Sequence, residues 1–108
     1  MATVAERRKH RRFGVACRLA VELPTGRDIR VRTLNVSDGG AYFVADEVLE
    51  VGRQVHVRLT VPRDTANTYF LEQFAARAEI IRCDPSGSER LGAGVAVRFQ
   101  PSLALDLA

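Results

Sequence analysis

Between Val15 and Phe99 apolar and polar residues alternate with a period of two almost throughout. Such a period sends successive side chains to opposite faces, so the chain must form sheet with one buried face and one wet face. In 15–23, Val15, Cys17, Leu19, Val21 and Leu23 alternate with Ala16, Arg18, Ala20 and Glu22. Pro24-Thr25-Gly26-Arg27 reads as a turn. Ile29, Val31 and Thr33 then stand opposite Arg30 and Arg32, which completes a hairpin. Asn35-Val36-Ser37-Asp38-Gly39-Gly40 concentrates turn-forming residues and two glycines and breaks the alternation. A strand follows at 41–45, with Tyr42 and Phe43 on opposite faces.

The segment 46–52 is expected to be a loop with room for a short helical turn. Val55, Val57, Leu59 and Val61 mark the clearest strand, and 62–69 reads as a polar excursion. The segment 70–83 has two readings. Phe74, Ala76, Ala78 and Ile80 keep the strand period, whereas residues 71–78 alone are good helix formers. Strand is favoured, because the segment runs into the turn Asp84-Pro85-Ser86-Gly87-Ser88. Beyond that turn, 91–99 places Val95, Val97 and Phe99 on one face. Six short strands with Gly/Pro turns and almost no helix imply an all-β fold, a small antiparallel barrel or sandwich. Residues 101–108 read as a short tail, either one helical turn or a frayed end.

A chain of 108 residues makes one domain with a modest core. Apolar content of 46% with 27% charge is ordinary for a soluble protein. No apolar run approaches the ~20 residues that span a bilayer, so no membrane insertion is expected and a cytoplasmic location is. Cys17 and Cys83 lack metal-ligand spacing and read as reduced core thiols, with a disulfide left open should their strands pair.

Charge is concentrated at the N-terminus. Residues 1–12 hold five of the 16 Lys+Arg and one of the 13 Asp+Glu, which leaves 11 cations and 12 anions for the rest. A cationic arm on a near-neutral body points to a local anion site, with phosphate the first candidate. Arg8 and Arg12 are four apart, as are Arg7 and Arg11. Arginine grips phosphate with two parallel hydrogen bonds and stacks its flat guanidinium on rings, so the arm suits a ligand with phosphates and bases. In the 35–40 segment, the Asn35 amide and Ser37 hydroxyl can bond a base edge. Gly39 and Gly40 permit close backbone approach and positive φ. Taken singly, the arm is a solvated tail and the segment a tight turn.

Together they say more. Arg8-x-x-x-Arg12 followed by Asn35-x-Ser37-x-x-Gly40 resembles the PilZ domain, the cyclic di-GMP receptor module of bacteria. "ERRKHRRF" looks like that family's opening, with Phe13 starting the first strand, and "GAGVAVRF" at 92–99 is similar to its closing strand. The resemblance spans about residues 5–100. It implies a six-stranded antiparallel split barrel over 13–100, a flexible arginine arm over 1–12 forming part of the ligand site, and a short tail over 101–108. It further implies that Arg8 and Arg12 hold phosphate and stack on guanine, that Asn35 and Ser37 read a guanine edge, and that Gly40, beside Gly39, keeps the turn tight. Arg7/Arg11 is the alternative register; Arg8/Arg12 is preferred because Arg12 directly precedes the first strand. An additional arginine at Arg7 implies two stacked ligand molecules per protomer. A family site carries Asp or Asn at the first turn position, and Asn35 brings no charge to it.

No catalytic constellation is legible. His10 lies in the arm and His56 on a wet strand face, neither in a metal or nucleophile–base spacing, and Gly39-Gly40 has no following Lys or helix. No cofactor is implied. The rival reading is a small β-barrel that clamps RNA or single-stranded DNA with its arm. Such proteins present exposed aromatic platforms, and here only Tyr42 and Tyr69 are candidates. A receptor without an output domain of its own must pass its signal to a downstream effector protein.

Overall fold

The computed structural model describes residues 16–85 and 92–107. Six strands form: β1 (Arg18–Glu22), β2 (Asp28–Ser37), β3 (Gly40–Ala45), β4 (Gln54–Asp64), β5 (Tyr69–Pro85) and β6 (Ala93–Gln100). All neighbours pair antiparallel in the order β1-β2-β3-β6-β5-β4, and β4 returns to β1, so the barrel is closed. Closure leaves no unpaired edge for another chain to template on. The inward positions follow the period of two: Leu19 and Val21, Val55, Val57, Leu59 and Val61, and Val95, Val97 and Phe99 are all buried around Phe43 and Ile80.

Two bulges break that period. On β2 the register passes from Thr33↔Phe43 to Asn35↔Tyr42, which leaves Leu34 unpaired and half exposed. On β5 it passes from Ile80↔Val97 to Arg82↔Ala96, which leaves out Ile81. One extra residue inverts the facing of everything after it. Thr33 points inward before the first bulge and Val36 after it, so Asn35 and Ser37 take the outward positions, Asn35 half-buried and Ser37 nearly covered. The expected break at 35–40 is therefore much shorter than the sequence suggests. β2 runs through Ser37, β3 begins at Gly40, and only Asp38 and Gly39 turn the chain.

Three other expectations change. Half of the 62–69 excursion is strand: β4 extends to Asp64 and β5 begins at Tyr69, and the turn over 65–68 is closed by the Thr65 N–H donating to the Thr68 carbonyl at 2.8 Å. The segment 46–53 has no helical turn. It bends so that Leu49 is buried, and Gly52, at φ 90°, donates its N–H to the Ile80 carbonyl at 2.7 Å. The tail is neither helical nor loose. Residues 101–107 carry the alternation on, with Leu105 fully buried and Leu103 and Leu107 packed partly against the core. The Leu103 and Leu105 N–H groups donate to the Asp38 carbonyl at 2.8 Å and the Asp38 Oδ1 at 2.9 Å. Arg63 donates to the Leu105 and Asp106 carbonyls. A leucine at every second position lets the tail cover one end of the barrel without belonging to the ladder.

Cys17 and Cys83 are both free thiols. Cys17 is buried, and burial pushes its thiol above the ordinary cysteine range, with the Thr33 hydroxyl and the charge of Arg63 offsetting part of that. The Cys83 sulfur is half-buried and accepts from the Leu49 N–H at 3.3 Å.

Candidate functional site

The two bulges together compose the outer face of β2, β3, β6 and β5. Cross-strand register sets Asn35, Tyr42, Ala96 and Arg82 in one row, the first and last being the residues that directly follow the bulges. The next row is Ser37, Gly40, Arg98 and Glu79. Tyr42 reaches across β6: a Cβ at Gly94 would come within 2.0 Å of the Tyr42 hydroxyl, so any larger residue there would make the ring shift. Ala96 keeps the floor between Tyr42 and Arg82 shallow.

The second row is tighter. The Ser37 hydroxyl, 7% exposed, accepts from the Gly39 N–H at 3.2 Å. Its proton remains available to donate to an acceptor above the face. Gly40 has the close approach expected of it: a Cβ there would stand 2.1 Å from the Val97 carbonyl oxygen. The expected positive φ is absent from both Gly39 and Gly40; among the described glycines it belongs to Gly26, Gly52 and Gly92. Gly40 is required for closeness to β6, not for a left-handed turn. Gly39 contributes its carbonyl, which accepts from the Phe99 N–H at 2.8 Å.

Two guanidinium groups stand on this face. Arg98 donates to Glu79 at 2.7 Å and Arg82 to Asp84 at 2.5 Å, with side chains 57% and 69% exposed. Exposed pairs of this kind hold their partners weakly and can exchange them for a phosphate. The face thus combines amide and hydroxyl groups, a ring and cations, the set that recognises a phosphorylated base.

Asn35, Ser37, Gly39 and Gly40 are brought together as the sequence suggests. Arg7, Arg8, Arg11 and Arg12 lie outside the described residues. Arg82, Arg98 and Asp38 were missed. Arg98 sits within the quoted closing strand, but only the register sets it beside Gly40. Asp38 had read as a turn residue, and its clamp on the tail depends on a contact 67 positions away. His56 is exposed on β4, as expected. Among the described residues no three His, Cys, Asp or Glu side chains gather closely enough to hold a metal ion. No helix among them is long and apolar enough to cross a membrane.

A closed six-stranded antiparallel barrel with a polar row on its outer face defines the class, a small β-barrel domain. The PilZ domain family model matches residues 6–106, and the chain belongs to that family, one of cyclic di-GMP receptors. Curated protein sequences yield no match. Among solved structures, the inhibitor of motility MotI/DgrA of Bacillus subtilis is similar with a TM-score of 0.74 at 16% identity, over 91% of this chain. The chain spans 44% of that protein's length. The PilZ domain of YcgR from Escherichia coli, solved with c-di-GMP, is similar with a TM-score of 0.58 at 17% identity, over 94% of this chain and 80% of that one. At these identities the likeness is one of fold.

Proposed function

We propose that this chain is a non-catalytic cytoplasmic receptor that binds cyclic di-GMP on the outer face of β2, β3, β6 and β5. The observation that carries the reading is the row Asn35–Tyr42–Ala96–Arg82 with Ser37 and Gly40 beside it, since it offers a base edge its donors and acceptors next to two exposed guanidinium groups. Asn35 and Ser37 read a guanine edge, and Gly40 holds the backbone close. Arg8 and Arg12, from the arm over 1–12 that precedes the barrel of 13–100, hold phosphate and stack on guanine. Arg7 adds the cation that a second, stacked ligand molecule requires. Binding orders the arm across the face, and that ordering presents a new surface to an effector protein.

Isothermal titration of cyclic di-GMP into wild type, Arg8→Ala/Arg12→Ala, Arg7→Ala/Arg11→Ala and Asn35→Ala tests this, with cyclic di-AMP and a short RNA as controls. The expected result is saturable binding of the guanine dinucleotide alone, two molecules per chain, lost in the Arg8/Arg12 and Asn35 variants. One molecule per chain removes the role given to Arg7. Salt-sensitive RNA binding with no dinucleotide binding makes the arm a general polyanion clamp and overturns the proposal.

A further inference from the structure

The opposite side of the barrel carries a second cationic feature that cyclic dinucleotide binding does not use. β1 stands across the ring from β6, and over it lies a depression of about 510 Å³ walled by Arg18, Arg30, Arg32, Arg58, Thr60 and Gln73. Register fixes its layout. One row is Arg32–Arg18–Thr60–Gln73 and the next Arg30–Ala20–Arg58–Ala75, so the small Ala20 and Ala75 set the floor between long side chains.

The charges here are unusual for this molecule. Of ten described arginines, six pair with a described carboxylate: Arg27, Arg53, Arg58, Arg63, Arg82 and Arg98. Three of the remaining four, Arg18, Arg30 and Arg32, share this depression. Arg18 and Arg32 are direct cross-strand partners, an arrangement that repels and costs stability. Arg58 alone has a partner, Asp28, at 3.3 Å and half exposed. Three guanidinium groups held together with no described carboxylate paired to them form a site for carboxylates or phosphates from another molecule.

The rims decide between those. On one side the following row is Asp28–Glu22–His56–Arg77, acidic over β1 and β2 and basic only at its far end on β5. On the other, two residues beyond Arg32 and Gln73, stand Leu34 and Leu71, 56% and 53% exposed. The cationic area is thus about 15 Å by 7 Å, four strands wide and two rows deep. A nucleic-acid backbone running past it meets Glu22 and Asp28, and the depression offers no ring for a base to stack on. A short acidic stretch of protein, with an apolar side chain at one flank, meets arginine and leucine in matching places. We propose that the outer face of β1, β2 and β4 is a docking surface for an acidic segment of a partner protein, separate from the cyclic dinucleotide site.

The test is fluorescence anisotropy with a labelled octa-glutamate peptide on the full chain, comparing wild type, Arg18→Gln/Arg32→Gln, and the equally charged control Arg53→Gln/Arg77→Gln. The expected outcome is a loss of about tenfold in peptide affinity for the Arg18/Arg32 variant and less than about threefold for the control. Cyclic di-GMP titrations of the Arg18/Arg32 variant are expected to match wild type, so this proposal and the receptor reading fail separately. Equal losses in both double variants, or tighter binding of a short single-stranded RNA at the same arginines, overturn it.

Discussion

Replacing Gly40 with alanine tests whether the pairing of β3 with β6 is as close as it looks. The added Cβ would stand 2.1 Å from the Val97 carbonyl oxygen and 3.3 Å from the Arg98 Cα, both backbone atoms that no rotamer change can move. Ordinary contact begins near 3.4 Å, so the strands must part by about 1 Å at this point. That stretches hydrogen bonds of about 2.9 Å to nearly 4 Å, beyond useful range. Losing one or two ladder bonds costs about 1 kcal/mol each. Displacing Val97, 2% exposed in the core, adds about 1–3 kcal/mol of overpacking. The expected destabilisation is about 3–5 kcal/mol, a large share of the ~5–15 kcal/mol that holds a small domain together. Urea unfolding followed by far-UV circular dichroism measures it. Gly26→Ala is the control: its φ of 89° makes alanine strained, but nothing lies within 4 Å of the new Cβ, so about 1 kcal/mol is expected. A Gly40→Ala shift no larger than that of Gly26→Ala would refute the close-approach argument.

Leu105→Ala should cost about 2–3 kcal/mol in the same assay, the lower part of the core range because a chain end can settle into the space; a change below ~0.5 kcal/mol would mean the tail does not seal the barrel. Arg18→Gln should leave stability unchanged or raise it by up to about 1 kcal/mol at low salt, with the gain gone in high salt, because it removes the repulsion with Arg32. Cys17 gives a pH signature. Its folded thiol titrates above the unfolded one, so its contribution is full below about pH 8.5 and is lost as pH rises from there through the folded value. Urea midpoints should therefore fall less steeply above pH 8.5 in Cys17→Ala than in wild type. A thiol reagent at pH 8 should modify Cys83 well before Cys17.

The barrel was legible because its strands obey one period over most of their length. Val55 to Val61 and Val95 to Phe99 need no tertiary information to be placed inside. The bulges were not legible. Thr33-Leu34-Asn35-Val36 is compatible with either facing, and the choice is made by β3, where Phe43 must be buried and Tyr42 must not. Missing Leu34 turned the end of β2 into an apparent loop, although Asn35 and Ser37 on it were still singled out as candidates through the family resemblance. The tail failed for another reason. Leu103, Leu105 and Leu107 show the right alternation, but it follows Pro101 and has no paired strand, so nothing local says what it covers. Its fixing points, Asp38 and Arg63, are far away in sequence.

The same bulge explains how one short strand serves two faces of a small barrel. Before Leu34, β2 sends Arg30 and Arg32 outward beside β1; after it, Asn35 and Ser37 go outward beside β3. Without the extra residue, continuous alternation from Arg32 would send Leu34 and Val36 outward and turn Asn35 and Ser37 into the core, where their polar groups would need partners that the apolar interior does not offer. The inserted residue thus lets a strand keep Thr33 and Val36 in the core while placing polar pairs at outward positions on both sides of the break. Because a bulge also increases local twist, the two outward pairs diverge around the barrel instead of crowding one surface. On the two readings proposed above, separation of a dinucleotide face from an arginine-rich docking face follows from where one unpaired leucine falls in β2.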